Sequence, residues 1–268
     1  MDTTHNEALI RRYWNNRAEK FKDSPVATTN DVCLRKLETK EMIKTIRKLN
    51  LPAGALILDV GCGDGRSTLM IANQFPELFF VGIDYCDKMI KNAQARMVTK
   101  YPLSRNISFK VESILDPSPT NTYSVVISSR CLINLISSSE QKKALANIAK
   151  CLVDNGTYIG IENFIKENHN LNRLRNFFGL EAIPIRWHNR FFDEDIFLND
   201  ISKYFHNVKL NDFLSSYYIL TRVIYSKLCN MFGGKPSYSH WMHKIGMLLP
   251  SRGRFCPVRL ITANRRHR

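Results

Sequence analysis

Through most of the chain, short continuous apolar runs alternate with segments in which apolar residues recur at helical spacing. The run ALILDV, at 55–60, is short, apolar and continuous, which predicts a strand buried on both faces. Further short apolar runs predict strands at 78–83, 107–112, 123–129 and 157–162. Helical spacing between them predicts helices at 66–74, 87–100 and 139–152. Strands that alternate with helices predict an α/β fold with a mostly parallel sheet and a site at the carboxyl ends of its strands.

The two ends of the chain do not share this rhythm. Helices predicted at 6–20 and 31–49 form an N-terminal helical cover segment over residues 1–50. After residue 162 the alternation stops, although strands at 206–213 and 257–263 would complete the sheet. We interpret 51–268 as one domain with two insertions, at about 163–200 and 214–255, that form a lid over the substrate.

The charge is unevenly distributed along the chain. The 268 residues include 39 Lys+Arg and 24 Asp+Glu, a formal net charge of +15. Residues 201–268 hold 12 Lys+Arg and a single acid, Asp212, whereas residues 1–200 are nearly neutral at +4. Such a basic segment suits a nucleic acid, an anionic membrane surface, or a phosphorylated or sugar-nucleotide substrate. A solvated basic face is the plainest alternative.

Cysteine usage and hydropathy bear on location. Seven cysteines without a CxxC pair are typical of reduced thiols in a cytoplasmic protein. The N-terminus lacks the apolar stretch of a signal peptide, and no window approaches the roughly eighteen apolar residues of a membrane span. We therefore expect a soluble, cytoplasmic protein.

A glycine-rich turn, DVGCGDG, follows the first buried strand and precedes a helix. A dinucleotide fingerprint needs a glycine at position 66, where Arg66 stands, and no Lys-Ser or Lys-Thr follows to make a P-loop. Asp84 ends the second strand, 23 residues after Gly61, where a carboxylate can accept the hydroxyls of a ribose. The pattern predicts a nucleoside-like cofactor without a pyrophosphate. The alternative is a strand-to-helix turn in which the glycines serve packing alone.

On the segments LDVGCGDG and VGIDYCDKMI, the chain resembles the class I S-adenosylmethionine-dependent methyltransferases, over about residues 13–164. The resemblance implies a doubly wound, seven-stranded, mostly parallel Rossmann-like sheet with an antiparallel last strand, and S-adenosylmethionine as cofactor. It implies that the cofactor is bound by Asp59, Gly61, Cys62, Gly63, Gly65, Asp84, Tyr85 and Met89. Ser113 stands where the family often has an acid for the adenine, with the Ile114 amide beside it, and a shifted register would offer Glu112 or Asp116 instead.

The same resemblance extends to residues on the substrate side. Arg130 follows the fourth strand and would contact the cofactor or an anionic substrate, unless it pairs with a surface acid. Arg17, in YWNNRA, would pair with the cofactor's carboxylate. Asn134 is a candidate substrate ligand or turn cap, and Tyr217 and Tyr218 belong to an aromatic stripe that either contacts substrate or only packs.

Methyl transfer to a hydroxyl requires removal of a proton, whereas an amine or an activated carbon needs no dedicated base. His188 is the preferred candidate base because it lies in an insertion and titrates near neutral pH, and Glu162 and His169 are the others. His240 and His243 lack further ligands, so no metal is expected.

Three functions remain open from the sequence. The leading one is methyl transfer to oxygen or nitrogen of a small-molecule or carbohydrate-like metabolite. The second is an RNA or ribosome-associated methyltransferase, although the segment SSRCLINL replaces the signatures NPPY and DPPY, so a nucleic acid is not favoured. The third is a non-catalytic binding module on the same fold.

Overall fold

The computed structural model describes residues 3–118 and 122–267, with side chains from residue 7 onward. Its strands are β1 (Leu56–Val60), β2 (Phe79–Asp84), β3 (Ile107–Val111), β4 (Tyr123–Ser129), β5 (Leu152–Asn163), β6 (Phe205–Asn211) and β7 (Val258–Arg265). They form a seven-stranded sheet in the order β3-β2-β1-β4-β5-β7-β6. The pairs from β3 to β5 are parallel, and β7 runs antiparallel to β5 and β6. The predicted fold class, including the antiparallel last strand, is confirmed.

Helices precede, separate and follow these strands. They are α1 (Thr3–Phe21), α2 (Val32–Arg47), α3 (Arg66–Ala72), α4 (Asp87–Lys100), α5 (Ser138–Cys151), α6 (Ile165–Phe177), α7 (Glu194–Ile201), α8 (Ser215–Tyr218), α9 (Tyr225–Met231) and α10 (Trp241–Gly246). A π-helical segment, Ile219–Ile224, joins α8 to α9, and a short 3-10 turn, Leu132–Asn134, follows β4. Of the described helices, none is long and apolar enough to cross a lipid bilayer.

Alternate residues of the central strands face opposite sides of the sheet, and each side has its own core. Ile57, Val125 and Ile159 belong to one buried cluster. Their neighbours Leu58 and Val126 belong to the other. The continuous apolar runs of the sequence follow from this burial on both faces.

The segment between the predicted helix at 139–152 and the predicted strand at 157–162 differs locally from the sequence-based expectation. Helix α5 ends at Cys151, and β5 begins at the next residue. Tyr123 pairs with Leu152, but the next pair joins Val125 to residue 157, so the register shifts. Asn155 has a φ of +60°, as a turn residue would. The turn geometry therefore forms as an irregularity inside β5 instead of a loop before it.

Candidate active site

A cavity of about 390 Å³ lies at the carboxyl ends of the strands. One side, which we call the glycine-loop wall, comes from the ends of the first three strands and the start of α4; it consists of Asp59, Gly61, Cys62, Gly63, Asp84, Tyr85, Met89, Ser113 and Ile114. The other side, the helical wall, comes mainly from α2, α6 and residues 214–255, the segment predicted as the second insertion. It consists of Asp31, Arg35, Glu38, Arg130, Asn168, Tyr218, Arg222 and Tyr238.

The glycine loop packs too closely for side chains. Gly61 has a φ of +69°, and a Cβ there would lie 2.2 Å from the Sγ atom of Cys131. The backbone N–H groups of Gly61 and Cys62 donate to the carbonyl oxygen of Ile83 at 2.8 and 3.0 Å. The loop is thus tied to the end of β2 and pressed against the turn after β4.

Asp84 lies in the glycine-loop wall with both carboxylate oxygens in hydrogen bonds. The backbone N–H of Gly63 donates to Oδ2 at 3.0 Å, and that of Cys86 donates to Oδ1 at 2.9 Å. Burial raises the pKa of Asp84 to about 6, against the effect of these two donors. Each oxygen retains a lone pair for a further donor, so the carboxylate can accept two hydroxyl groups from the cavity.

Two residues predicted to bind the cofactor differ in their relation to the cavity. Asp59 lines it, and its Oδ2 accepts a hydrogen bond from Oγ1 of Thr68 at 2.6 Å. Burial raises the pKa of Asp59 to about 7. Gly65 lies outside the cavity lining, at the start of α3, where a Cβ would meet the ring of Phe109 at 2.7 Å. Close packing of the start of α3 against Phe109 explains why a glycine is needed at this position.

The residues expected around a nucleobase all line the cavity: Tyr85, Met89, Ser113 and Ile114. The Oγ atom of Ser113 accepts a hydrogen bond from the backbone of Leu115 at 3.2 Å. Of the two alternative acids, Glu112 lines the cavity and Asp116 does not.

The turn after β4 is held by Glu162, which is fully buried and lies outside the cavity lining. Its carboxylate accepts hydrogen bonds from the backbone N–H groups of residues 131, 132 and 133, at 3.1–3.3 Å, and from Oγ of Ser128 at 3.0 Å. Burial raises its pKa to about 7, opposed by these donors. Asn134 does line the cavity, and its side chain caps the turn by donating to the carbonyl oxygen of Arg130 at 2.8 Å.

The helical wall contains charged groups of which the sequence reasoning named Arg130 but missed Glu38 and Arg35. Arg130, which has a φ of +51°, places its Nε atom 3.0 Å from Oε1 of Glu38. Burial raises the pKa of Glu38 to about 6, opposed by Arg130. Further along α2, Arg35 is buried, and its Nη1 atom has no hydrogen-bond partner among the described residues. Burial lowers the pKa of Arg35 to about 10.

Asp31, the N-cap of α2, joins this helix to the second insertion. Its carboxylate pairs with the guanidinium of Arg222 and accepts hydrogen bonds from the hydroxyl of Tyr217 at 2.8 and 2.9 Å. His243 contacts the same hydroxyl at 2.8 Å. Burial acts to raise the pKa of Asp31, but the nearby His243 and the charge of Arg222 hold it well below the usual range. Tyr217 thus serves the network behind the cavity, whereas Tyr218 lines it.

His188 lines the cavity within an aromatic cluster. Its ring stacks on Tyr13 at 4.5 Å between centroids and meets Trp14 edge-on at 5.6 Å. Its Nδ1 atom is buried and has no hydrogen-bond partner among the described residues. Burial, with the like charges of Arg186 and Arg17, lowers its pKa to about 4, so the imidazole is neutral at physiological pH.

Arg17 does not reach the cavity lining. Its guanidinium donates to the carbonyl oxygens of Val26 and Ala27, at 2.5 and 2.7 Å, and lies over the ring of Phe21 at 4.7 Å. It thereby fixes the loop between α1 and α2. Among the described residues, no cluster of three His, Cys, Asp or Glu side chains has the arrangement of a metal site.

Comparisons with known proteins show which proteins this chain is similar to. Residues 57–156 match the family model of a methyltransferase domain. The chain is 36% identical over 59 residues to a trans-aconitate 2-methyltransferase of Variovorax paradoxus, covering 22% of this chain and 23% of the relative. It is 24% identical over 151 residues to a malonyl-[acyl-carrier protein] O-methyltransferase of a Paenibacillus species, covering 53% of each. The matches thus span from about a quarter to about half of these relatives' length.

The fold comparison covers nearly the whole chain. The structure of magnesium protoporphyrin IX methyltransferase from Synechocystis, solved with S-adenosylhomocysteine, aligns with a TM-score of 0.62 at 15% identity and covers 97% of this chain and 99% of that one. Residues 57–156 are thus similar to a methyltransferase domain, and the fold is the Rossmann-like fold of the methyltransferase structure with which the chain aligns. The family's cofactor is S-adenosylmethionine, and the glycine loop without Cβ atoms, beside the buried Asp84 carboxylate, fits its methionine and ribose parts.

Proposed function

We propose that this protein is an S-adenosylmethionine-dependent methyltransferase that methylates oxygen or nitrogen of a small-molecule or carbohydrate-like metabolite. The observation that carries the proposal is the single cavity shared by the glycine-loop wall and the helical wall. Direct displacement at a methyl carbon requires donor and acceptor to meet in line in one space from which water is excluded. The methyltransferase domain at 57–156 supports the same activity.

In this proposal the glycine-loop wall holds the cofactor. Asp84 accepts the ribose hydroxyls, Gly61 and Gly63 let the methionine part lie against the backbone, and Asp59 supports the loop. Tyr85 and Met89 flank the adenine, with Ser113 and the Ile114 amide at its edge and Cys62 beside the loop. When bound, S-adenosylmethionine supplies a methyl group on a positively charged sulfur, which is already activated for transfer. The chain's own residues then have to orient the acceptor and exclude water.

The helical wall is proposed to bind the acceptor. A cavity of about 390 Å³ has the size of a metabolite site, whereas an RNA would need an open basic groove with stacking platforms. The named substrates of relatives, trans-aconitate, malonyl-[acyl-carrier protein] and phosphoethanolamine, support acceptors with oxygen or nitrogen nucleophiles. Asn134 and Tyr218 are the acceptor contacts proposed from the sequence, and Arg35 and Arg222 join them. Arg130, expected from the sequence to contact the cofactor or an anionic substrate, lines the same wall.

For a hydroxyl acceptor, His188 is the proposed general base. Its neutral ring and unpartnered Nδ1 atom, at the cavity wall, support this role. Glu162 has its carboxylate occupied by backbone donors, so we propose that it positions the turn after β4 instead of moving a proton. Once the acceptor is identified, His188→Gln should lower kcat about 100-fold for a hydroxyl acceptor and leave KM for S-adenosylmethionine unchanged. An unchanged kcat and pH profile would exclude the histidine as base.

Two measurements test the proposed function. Isothermal titration should detect binding of S-adenosylmethionine and S-adenosylhomocysteine, and absence of binding across pH and temperature would refute the cofactor assignment. Radiolabelled methyl transfer into a fractionated native extract should label a small molecule, and this label should survive RNase treatment. Label that disappears with RNase would support the RNA alternative, and cofactor binding without any transfer would support a non-catalytic module.

We also propose a cytoplasmic location. All seven cysteines are free in the structure, three of them buried. Free thiols of this kind persist in a reducing compartment, which supports the proposal.

A further inference from the structure

Two helices of the second insertion turn apolar side chains toward solvent. Leu228, Met231 and Phe232 recur at helical spacing on α9, and Trp241, Ile245 and Leu248 recur along α10 and the turn that continues it. Phe232 and Leu248 are each 83% exposed, and Trp241 is 59% exposed. The opposite sides of the helices are packed, since Tyr225 on α9 and His243 on α10 are buried. These helices are therefore apolar on the face where a surface helix is normally polar.

The two exposed faces belong to one packed unit. The rings of Tyr225, on α9, and His240, just before α10, stack at 4.4 Å between centroids. The backbone N–H of Ser237 donates to the Tyr225 hydroxyl at 3.2 Å, and α10 packs against the π-helical segment from which α9 continues. The end of α6 joins them, because Arg175 donates to the carbonyl oxygen of Arg222. It adds Phe177, whose side chain is 83% exposed.

The segment that carries α9 and α10 is positively charged and contains no acid of its own. Residues 213–268 contain ten Lys+Arg and no Asp or Glu. Arg222 and Arg259 form internal ion pairs. Lys235, Lys244 and Arg252 are exposed, and within the described parts of the chain none of them forms an ion pair. The surface thus combines uncompensated cations with large apolar side chains.

This combination selects among partners. A second copy docked through the same face would bring the same lysines together, and no acid of this segment could neutralise them. An RNA would be attracted by the lysines and could stack on Trp241, Phe232 and Phe177, but it would leave the exposed aliphatic side chains of Leu228, Ile245 and Leu248 uncovered. A bilayer with anionic lipids accommodates both features, because apolar side chains enter the boundary between headgroups and acyl chains while lysines pair with phosphates.

We propose that α9 and α10 dock this protein onto the surface of an anionic lipid bilayer. The apolar side chains of both helices insert shallowly, and Lys235 and Lys244 contact the headgroups. The connection between the helices also contributes Tyr238 to the cavity wall, so docking brings the cavity beside the bilayer. Docking depends on neither cofactor binding nor catalysis.

The test is co-sedimentation of the full chain with vesicles of phosphatidylcholine alone or with about 30% phosphatidylglycerol. We expect binding to the anionic vesicles that is at least tenfold stronger than to neutral ones and that weakens as salt is raised. Phe232→Ser with Trp241→Ser should reduce binding at least tenfold. Leu103→Ser is the matched control, since Leu103 is 90% exposed and lies outside the insertion.

A charge pair of variants separates the two contributions. Lys235→Gln with Lys244→Gln should weaken binding to anionic vesicles only, while Lys48→Gln with Lys110→Gln, which removes the same charge elsewhere, should not. If the double serine variant misfolds by circular dichroism, single Phe232→Ser takes its place, with at least a threefold loss expected. The proposal is overturned if vesicles bind all variants equally or not at all at low salt. It is also overturned if sedimentation velocity shows self-association that Phe232→Ser abolishes, or if only RNA binds.

Discussion

The two walls of the cavity differ in the groups that form them and in the sequence distance between interacting residues. The glycine-loop wall is made of strand ends and backbone groups whose partners are near in sequence, as in the bond from Gly63 to Asp84, 21 residues apart. The helical wall is made of charged side chains brought together from distant segments, as in the pairing of Arg222 with Asp31, 191 residues apart. The first wall is fixed by local geometry, and the second depends on the insertions folding against α2.

The difference implies that the glycine-loop wall determines affinity for the cofactor, whereas the ion pairs of the helical wall determine whether the acceptor site folds. Backbone donors and glycine geometry hold one shape, which suits a ligand that is the same throughout a family. Both members of a buried ion pair can be replaced together, which suits a site whose ligand varies. Loss of one member alone leaves the other as an uncompensated buried charge. Substitutions in the two walls should therefore have different consequences.

The largest effect is expected in the helical wall. Asp31→Asn leaves Arg222 buried without its carboxylate, so the free energy of unfolding should fall by about 3–5 kcal/mol in urea titrations. Asp31 has a lowered pKa, so its contribution to stability is present above the unfolded pKa and is lost as the pH falls through the folded one. Glu19→Gln, at the exposed ion pair with Lys88, is the control and should change the free energy of unfolding by less than about 0.5 kcal/mol. Equal effects would contradict the importance of the network.

The next effect belongs to the glycine-loop wall. Asp84→Ala removes two charge-assisted hydrogen bonds to the ribose, so the Kd for S-adenosylmethionine should rise about 100-fold in isothermal titration. Asp116→Ala is the matched control, because Asp116 is exposed and lies outside the cavity. If Asp84→Ala binds as tightly as the control, the ribose assignment is wrong.

A smaller effect follows from the pKa of Asp84. Because the pKa is about 6, the carboxylate is ionised at pH 7 and mostly protonated at pH 5. Only the ionised form accepts both ribose hydroxyls, so affinity is full above the pKa and is lost as the pH falls through it. The Kd for S-adenosylmethionine should be about tenfold higher at pH 5 than at pH 7. Asp84→Asn should lose this dependence; if its profile matches that of the wild type, another group is responsible.

Predictions from the sequence were most successful where residues that act together lie in neighbouring segments of the chain. The alternation of apolar runs predicted the sheet because each strand is buried on both faces, and the glycine turn predicted its contact with Asp84 because parallel strand ends lie together. The glycine-turn and strand-end residues predicted to bind the cofactor line the cavity, with the exception of Gly65. Its geometry is that of a binding glycine, but its neighbours belong to α4 and β3, which no local pattern reveals.

The helical wall could be predicted only in fragments. Arg17 and Tyr217 have suitable chemistry, but their partners come from folding contacts that spacing does not encode. One signal was available in α2, where Asp31, Arg35 and Glu38 recur at helical spacing on a side that also carries buried apolar residues. Charges on the buried side of an amphipathic helix indicate either ion pairing or a ligand, and here they line the cavity.

The smallest effect concerns the contact of α1 with the turn after β4. The indole N–H of Trp14 donates to Oδ1 of Asn134 at 3.3 Å, and both residues line the cavity. Trp14→Phe keeps the ring packing but loses this bond, which should lower the free energy of unfolding by about 1 kcal/mol and weaken S-adenosylmethionine binding two- to fivefold. Trp187→Phe is the control, because its indole is mostly exposed. In a double-mutant cycle, Trp14→Phe and Asn134→Ala should couple by about 0.5–1 kcal/mol, because each removes the same bond. Strict additivity would mean that α1 packs over the cavity without closing it.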